Sequence, residues 1–233
     1  MFRNFKHSCY YSYNNPPVAK ILERGQLTEL SSEQKDVAYR TKPREEKYQL
    51  ILDAAIDAFA QYGYYSCQVS KIAKLAGVAD GTIYLYFRNK EDILVSLFED
   101  RMGQFITGIR TELAQSNTTE QRLAKIVRTH LRYMDENRSL AVVTQIELRQ
   151  PDLRVREAIS GPLREYYHLL EEVLMTGVVE REIVLSDIKV GRQLLFGVLD
   201  AAVSDWVSAK TPRSLTASET SIMELLRGAF HLV

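Results

Sequence analysis

The chain has 233 residues, enough to bury a sizeable core in one large domain or in a small domain joined to a larger one. Lysine plus arginine and aspartate plus glutamate both number 30, so the net charge gives no argument for a nucleic-acid partner. Two cysteines do not make a disulfide framework, and no cysteine–histidine cluster has metal-ligand spacing. We find no signal-peptide pattern and no apolar run of about 18 residues or more, so we expect a cytoplasmic protein without a metal cofactor.

Residues 1–40 have a composition typical of a segment without regular structure. They are rich in tyrosine, asparagine, serine and lysine, and their apolar residues show weak periodicity. Pro16, Pro17 and Gly25 would interrupt any helix there. We therefore expect a mostly disordered extension.

The first predicted helix follows this extension and carries a continuous apolar stripe. Its members recur at helical spacing: Tyr48, Ile51, Leu52, Ala55 and Phe59. The helix is expected to end near Gly63 and to form a three-helix unit with the next two helices.

Two short helices come next, with only a few residues between them. The first has a narrow apolar face made by Val69, Ile72, Ala73 and Ala76, and Gly77 can close it in the left-handed conformation. Asp80 is positioned to cap the second helix. This spacing is typical of a helix-turn-helix, in which the second helix enters the major groove of DNA.

The second short helix has two faces with different side chains. Ile83 and Phe87 lie four residues apart on one face, which would anchor the helix in the protein. The other face would be free to read DNA and carries Thr82, Leu85 and Tyr86.

The segment at 69–94 reads Val-Ser-Lys-Ile-Ala-x-x-Ala-Gly-Val-x-x-Gly-Thr-Ile-Tyr-x-Tyr-Phe-x-x-Lys-Glu-Asp-Ile-Leu. This string resembles the DNA-binding signature of TetR-family transcriptional repressors. The wider stretch 63–106 most resembles the FadR-type repressors of fatty-acid degradation found in Bacillus-like bacteria. The resemblance implies a TetR-like all-α fold, with a three-helix DNA-binding head and a six-helix body for effector binding and dimerisation.

The resemblance starts near Thr41, which leaves two further hypotheses for the preceding residues. The natural start codon would lie downstream, or the segment would be a flexible basic arm that grips DNA. The implied division is an extension at 1–40, a DNA-binding domain at 41–90 and an effector-binding and dimerisation domain at 91–233.

The DNA-binding candidates divide by the chemistry of their side chains. Thr82, Tyr84 and Leu85 suit base edges, because a hydroxyl donates or accepts and an aliphatic tip packs on a thymine methyl. Gly81 lets the backbone come close to the duplex. Phosphate would be bound by hydroxyl, amide or ammonium donors, for which the candidates are Gln68, Ser70, Lys71, Tyr86 and Lys90. The position of Lys90 matches the family's phosphate-binding lysine.

Two alternatives stay open within this set. Tyr84 could pack inside the head instead of contacting DNA. Arg44 and Lys47, at the start of the first helix, could be solvated instead of contacting phosphate.

The body is predicted to be helical throughout. Asn89 can cap a helix over 90–113, which at roughly 1.5 Å per residue spans about 35 Å and can join the head to the body. Gly161 and Pro162 should kink or split one later helix. The remaining helices are predicted over 119–136, 139–149, 152–179, 187–208 and 215–231, giving about nine helices.

The helix over 187–208 carries two apolar stripes, and a helix that is apolar on two sides must bury both. One stripe has Leu195, Leu199, Ala202 and Trp206; the other has Val190, Leu194, Val198 and Ala201. The final helix adds an apolar cluster of Ile222, Leu225, Leu226, Ala229 and Phe230. The two helices would form a four-helix contact across a two-fold axis, matching the family's homodimer. A wholly internal helix in a monomer is the alternative.

Segments 140–150 and 196–206 are also similar to FadR-type proteins, which bind long-chain acyl-CoA and then release DNA. Such an effector needs an apolar tunnel, for which the candidates are Phe105, Ile109, Tyr133, Ile146, Tyr166, Leu169 and Phe196. The CoA phosphates need cations, and guanidinium groups of Arg149, Arg154 and Arg156 suit them. Plain core packing and surface ion pairing are the ordinary alternatives. The acyl chain would wedge the body helices apart, and the 90–113 helix would carry the tilt to the head.

Other functions compete with this interpretation. An enzyme is disfavoured, because His130 and His168 are isolated on helices and no nucleophile-elbow, phosphate-loop, dinucleotide or zinc-protease motif occurs. A lipid carrier without DNA function is disfavoured by the reading helix. A TetR-type repressor of other genes, such as efflux genes, with a different hydrophobic effector remains open.

Overall fold

The computed structural model describes residues 32–147, 149 and 153–232 of the chain. The chain divides after Lys42 into two units, and the second unit, from Pro43 onwards, contains the packed core and the candidate sites. Of the expected extension, residues 1–31 lie outside the described residues. Residues 32–40, also expected to lack regular structure, are instead part of the first helix. They contain neither glycine nor proline, and charged residues and alanine tolerate the helical conformation well.

All regular structure in the described part of the chain is helical, as predicted. The nine α-helices, with one 3₁₀ turn at Leu215–Ser218, are α1 (Ser32–Tyr62), α2 (Val69–Leu75), α3 (Asp80–Ile83), α4 (Lys90–Leu113), α5 (Thr119–Glu136), α6 (Arg138–Glu147), α7 (Leu153–Val179), α8 (Ile188–Ser208) and α9 (Glu219–Phe230). Within the described ranges, none of these helices combines the length and apolarity needed to cross a bilayer.

The head is built from the second half of α1 together with α2 and α3. Its core contains Phe59, Ile72 and Phe87, all buried, and the ring of Tyr48 stacks on that of Phe87 with centroids 5.2 Å apart. Gly77 has a φ of 65°, so the left-handed closure of α2 predicted from the sequence is confirmed.

The predicted capping role of Asp80 is wrong. The residue before α3 is Ala79, no side chain caps the helix, and Asp80 is the first helical residue. An acidic group in the first turn still interacts favourably with the helix dipole. The short helix is extended by a hydrogen bond from the Phe87 amide to the Ile83 carbonyl at 3.0 Å, which carries the chain on towards α4.

Helix α4 begins and ends as predicted and is shared by the head and the body. The Asn89 side chain accepts a hydrogen bond from the Asp92 amide at 2.8 Å, which confirms the predicted cap. A single buried stripe then runs along the helix: Ile93, Leu94, Leu97, Phe98, Met102, Phe105, Ile106 and Ile109. Because the stripe is uninterrupted, α4 is packed along nearly its whole length.

Helix α7 is not split at Pro162, contrary to one of the two outcomes predicted for it. Val155 and Ile159 before the proline, and Tyr166 and Leu169 after it, are all buried. Packing on both sides of the proline compensates for the backbone hydrogen bond that proline cannot make.

The centre of the body contains a cluster of rings, which we call the aromatic cluster: Phe105, His130, Tyr133, Tyr166 and Phe196. Ring centroids lie 5.0 Å apart for Phe105 and Tyr133 and 5.2 Å apart for Phe105 and Tyr166. His130 Nδ1 and the Tyr166 hydroxyl are 3.0 Å apart and hydrogen-bonded. Burial lowers the pKa of His130 to about 4 and raises the pKa of the Tyr166 phenol. His130 is therefore neutral at physiological pH.

Mild acid should destabilise the fold through His130. Its pKa falls from an ordinary 6.5 to about 4 on folding, so the unfolded chain takes up the proton first. Stability is therefore lost as the pH falls from 6.5 towards 4, by at most about 1.4 kcal/mol per pH unit. We expect the melting temperature measured from pH 7.5 to 5 to decline less in His130→Gln than in the wild type. The matched control is His168→Gln, which removes an imidazole that is 71% exposed. An equal decline in all three proteins would contradict the assignment.

Candidate nucleic-acid interface and effector site

The start of α2 and the residues around α3 form one open surface of the head. An open depression is lined by Tyr65, Cys67, Gln68, Val69, Ser70, Asp80, Tyr84 and Lys90. Four of the predicted DNA-binding residues therefore converge here: Gln68, Ser70, Tyr84 and Lys90.

The two faces of the second short helix are arranged as predicted. Ile83 and Phe87 are buried, which anchors this segment. Tyr84 is 58% exposed and Leu85 is 74% exposed, so Tyr84 does not pack inside the head. Gly81 is exposed, and a Cβ atom added there would meet no other atom within 4 Å. The remaining candidates, Thr82 and Tyr86, are half-buried.

The head also carries other cationic side chains. Arg44, Lys47 and Lys74 are exposed, and the Arg44 guanidinium lies 5.9 Å from the centre of the Tyr86 ring. Lys71, at the start of α2, places its ammonium 3.7 Å from the centre of the Tyr62 ring. A cation on an aromatic face keeps its charge and its outward N–H donors, so Lys71 remains suited to phosphate.

Lys90 has a different environment from Lys71. Its ammonium donates to the carbonyl oxygens of Tyr64 at 2.7 Å, Tyr65 at 3.0 Å and Cys67 at 3.0 Å. An ammonium has three donors, and all three are used here. The phosphate contact expected for Lys90 would require the ammonium to leave these carbonyls.

Sequence reasoning missed Tyr65. Its ring is 57% exposed, packs edge-on against Tyr64 with centroids 5.4 Å apart, and lines the same depression as Gln68, Ser70 and Tyr84. Tyr65 lies in the loop between α1 and α2, outside both helices of the motif. The adjacent pair of tyrosines after Gly63 was the only signal in the sequence.

Of the seven residues predicted to line an apolar tunnel, six lie in or beside the aromatic cluster and one does not. Phe105, Tyr133, Tyr166 and Phe196 all belong to the aromatic cluster, and Ile109 and Leu169 are buried beside them in the core. Ile146 does not join them, because it is half-exposed in the last turn of α6. The apolar face of α6 is turned inward by Leu140 and Val143 instead.

The three predicted phosphate ligands are exposed. The Arg149 guanidinium donates to Asp200 Oδ2 at 2.6 Å and to Gln145 Oε1 at 2.6 Å. A phosphate would have to replace Asp200 at Arg149. Arg154 and Arg156 lie in the first turn of α7, so the three arginines are close together in the sequence.

A polar cavity of about 420 Å³, which the sequence did not predict, lies where α1, α4 and the α5–α6 junction meet. Arg101 on α4 donates to Asp53 Oδ1 on α1 at 2.7 Å, and Gln49 on α1 donates to Asp100 on α4 at 3.0 Å. The Tyr133 hydroxyl donates to the Arg101 carbonyl at 3.2 Å. The aromatic cluster is therefore connected to α1 through Tyr133 and Arg101.

Helices α8 and α9 carry an exposed apolar surface. The inner stripe of α8 is buried at Leu195 and Leu199, whereas Val190, Leu194 and Ala201 are exposed. On α9, Ile222, Leu226 and Phe230 are buried, whereas Leu225 and Ala229 are exposed. Both helices therefore present an apolar face that the described chain does not cover, which we call the α8–α9 face.

Comparison with known proteins identifies both parts of the chain. Residues 51–97 match the family described as bacterial regulatory proteins, tetR family, and residues 98–229 match the C-terminal region of YsiA-like proteins. The fatty acid metabolism regulator protein of Bacillus subtilis is 43% identical over 191 residues, which cover 82% of this chain and 98% of that protein.

Two solved structures resemble the fold closely. The fatty acid degradation regulator FadR from Bacillus halodurans has a TM-score of 0.76 and 42% identity, covering 78% of this chain and 99% of that one. FadR from Bacillus subtilis in complex with stearoyl-CoA has a TM-score of 0.74 and 44% identity, covering 77% and 97%. The head, the helical body and these relatives together establish that the chain belongs to the TetR family of bacterial transcriptional regulators.

Proposed function

We propose that this TetR-family regulator is a homodimeric repressor of fatty-acid degradation genes that long-chain acyl-CoA releases from its operator. The observation that carries the proposal is the 43% identity to a fatty acid metabolism regulator across 98% of its length. A protein that acts on operator DNA works in the bacterial cytoplasm, and a regulator of this kind needs no enzymatic activity; its relatives are described as regulators.

Operator binding is supported by the surface around α3. Tyr84 and Leu85 project from an anchored segment and suit base edges in the major groove. Gln68, Ser70 and Lys71 lie at the start of α2, where a helix N-terminus and polar donors together suit phosphate. A head of this size covers one half-site, so a symmetric operator needs two heads.

Dimerisation is supported by the α8–α9 face. A surface with exposed leucine and valine on two neighbouring helices is costly in water, and packing it against its own copy removes that cost. A two-fold axis through this face would make a four-helix contact. It would also present two heads to one duplex.

A long-chain acyl-CoA effector is supported by the aromatic cluster and by the relative solved with stearoyl-CoA. The cluster is the part of the body where apolar side chains from α4, α5, α7 and α8 meet. Transfer of a fatty acyl chain from water into this cluster is favourable. The chain must, however, separate helices that contact one another in its absence. Arg149, Arg154 and Arg156 are exposed, and guanidinium groups suit the CoA phosphates.

Release follows if this separation moves α4. The Tyr133 ring packs on Phe105, and its hydroxyl holds the Arg101 carbonyl, while the Arg101 guanidinium holds Asp53 on α1. A shift of α5 against α4 would be passed to the head by these contacts. The effector weakens DNA binding by its differential affinity for the two arrangements.

The protein should retard the DNA upstream of its own gene in a gel. Stearoyl-CoA or palmitoyl-CoA should abolish this retardation. CoA without an acyl chain is the matched control and should leave the retarded band in place, because it has no chain to bury. Retardation that ignores acyl-CoA would leave a TetR-type repressor with another effector. No retardation at all would point to a lipid carrier.

Leu194→Glu and Leu225→Glu should each convert the dimer to a monomer, because two glutamates would be buried against one another across the axis. Light scattering after size exclusion measures the mass, and operator affinity should fall by at least about tenfold, since one head loses its partner. Leu153→Glu is the control, as Leu153 is an exposed leucine outside the α8–α9 face. Dimers that survive both changes would place the interface elsewhere.

Asp53→Asn should uncouple the effector from the operator without weakening either ligand alone. The loss of the 2.7 Å ion pair with Arg101 removes the charged contact between α4 and α1 and leaves the Gln49–Asp100 hydrogen bond, so the acyl-CoA concentration needed for release should rise by about 2- to 30-fold. Calorimetry measures acyl-CoA binding, and anisotropy measures release. Glu172→Gln, which breaks the α4–α7 pair with Arg110, is the control. A wild-type release curve for Asp53→Asn would exclude this route.

A further inference from the structure

The loop between α1 and α2 is held by a side chain from α4. Lys90, the first residue of α4, places its ammonium among the carbonyl oxygens of Tyr64, Tyr65 and Cys67 at 2.7 to 3.0 Å. The same ammonium lies 4.7 Å from the centre of the Tyr64 ring. These contacts form what we call the Lys90 cradle.

The cradle adds to the hydrogen bonds that the loop makes within its own backbone. Gly63 has a φ of 71° and ends the turn that follows α1, and the Cys67 amide donates to the Gly63 carbonyl at 3.0 Å. The carbonyls of Tyr64 and Tyr65 point to the ammonium, and an ion-assisted hydrogen bond is stronger than one between neutral groups. Three convergent carbonyl dipoles would repel one another if the cation were removed.

The exposed side of this loop belongs to the DNA-facing surface. While its carbonyl is held in the cradle, the Tyr65 ring lines the same depression as Gln68, Ser70 and Tyr84. The Tyr64 ring supports it edge-on at 5.4 Å. A tyrosine hydroxyl is one of the side-chain donors that proteins use on DNA phosphate and sugar oxygens.

We propose that Tyr65 contacts the operator backbone and that Lys90 is a positioning residue that holds Tyr65 in place through the loop carbonyls, without contacting phosphate itself. This inference rests on the proposed operator binding. In this inference the Lys90 ammonium binds carbonyls of the protein's own backbone. The phosphate contacts on this side of the head are made by Lys71, Ser70 and Tyr65.

Arginine substitution distinguishes the two roles of Lys90. If the ammonium bound phosphate, Lys90→Arg would retain affinity, because a guanidinium is a good phosphate ligand. If the ammonium occupies the cradle, the planar guanidinium of Lys90→Arg cannot donate to three carbonyls that converge on one point. Operator affinity should then fall by about tenfold. Lys125→Arg on α5, where the ammonium donates to the Glu112 carbonyl at 2.7 Å, is the matched control and should bind as the wild type does. Fluorescence anisotropy with operator DNA gives the affinities.

Salt dependence gives a second and independent measurement. Neutralising a phosphate-binding lysine lowers the slope of log affinity against log salt by about one, whereas a positioning residue leaves it unchanged. Between 50 and 300 mM KCl, Lys71→Met should therefore flatten the slope, and Lys90→Met should lower affinity at an unchanged slope. A flatter slope in Lys90→Met, or wild-type affinity in Lys90→Arg, would overturn the inference.

The coupling of the two residues is measured by a double-mutant cycle. Tyr65→Phe removes one hydroxyl and should weaken operator binding by about three- to tenfold in the wild type, but much less in Lys90→Arg, where the ring is no longer held. Tyr62→Phe is the control for losing a tyrosine hydroxyl in the head. Wild-type affinity in Tyr65→Phe, or additive losses in the cycle, would refute the proposal even if Lys90→Met failed to fold. Absence of salt-dependent binding by the wild type would instead refute operator binding.

Discussion

The rest of the molecule depends on the unbroken packing of α4. One buried stripe from Ile93 to Ile109 makes this helix a wall of both the head and the body, so neither part can be repacked without moving it. Its first residue, Lys90, holds the loop before α2, and its middle, at Arg101, holds α1. The hydrogen bonds of a helix of this length keep it stiff, so in the proposed release a small rotation at one end would become a displacement at the other.

The polar contacts of α4 modify this apolar packing but do not create it. Arg101 is largely buried, yet it is shared between Asp53, Asp100 and polar side chains at distances of 2.7 to 3.5 Å, and its Nε has no hydrogen-bond partner among the described residues. A buried group that is only partly satisfied is a weak point in an otherwise apolar contact. Such a contact suits the proposed change between two arrangements of α1 and α4.

The aromatic cluster supplies the opposite property. Its rings are tightly packed, and its one polar pair, His130 with Tyr166, is hydrogen-bonded internally. Opening it therefore exposes no unpaired polar atom of that pair to an incoming alkyl chain. In the proposed function, the cost of opening is the loss of ring contacts, which the acyl chain would replace.

The amino-acid sequence by itself determined the helices and the orientation of the motif. Apolar spacing placed α4, α5 and α8 almost to the residue, and the pairing of Ile83 with Phe87 showed which face of the second short helix is anchored. These features follow from local periodicity. The string at 69–94 also indicated the family, because a helix-turn-helix needs small and apolar residues at fixed positions.

Only the tertiary structure decided what each polar side chain contacts. Lys90 reads as a surface cation in the sequence, but its partners are carbonyls 23 to 26 residues earlier in the chain. Arg101 and Asp53 are 48 residues apart, Ile146 falls outside the core, and the exposed ring of Tyr65 comes from a loop rather than from a helix of the motif. Hydrogen bonds and ion pairs depend on distances of a few ångströms between atoms remote in sequence, and the period of a helix carries no information about them.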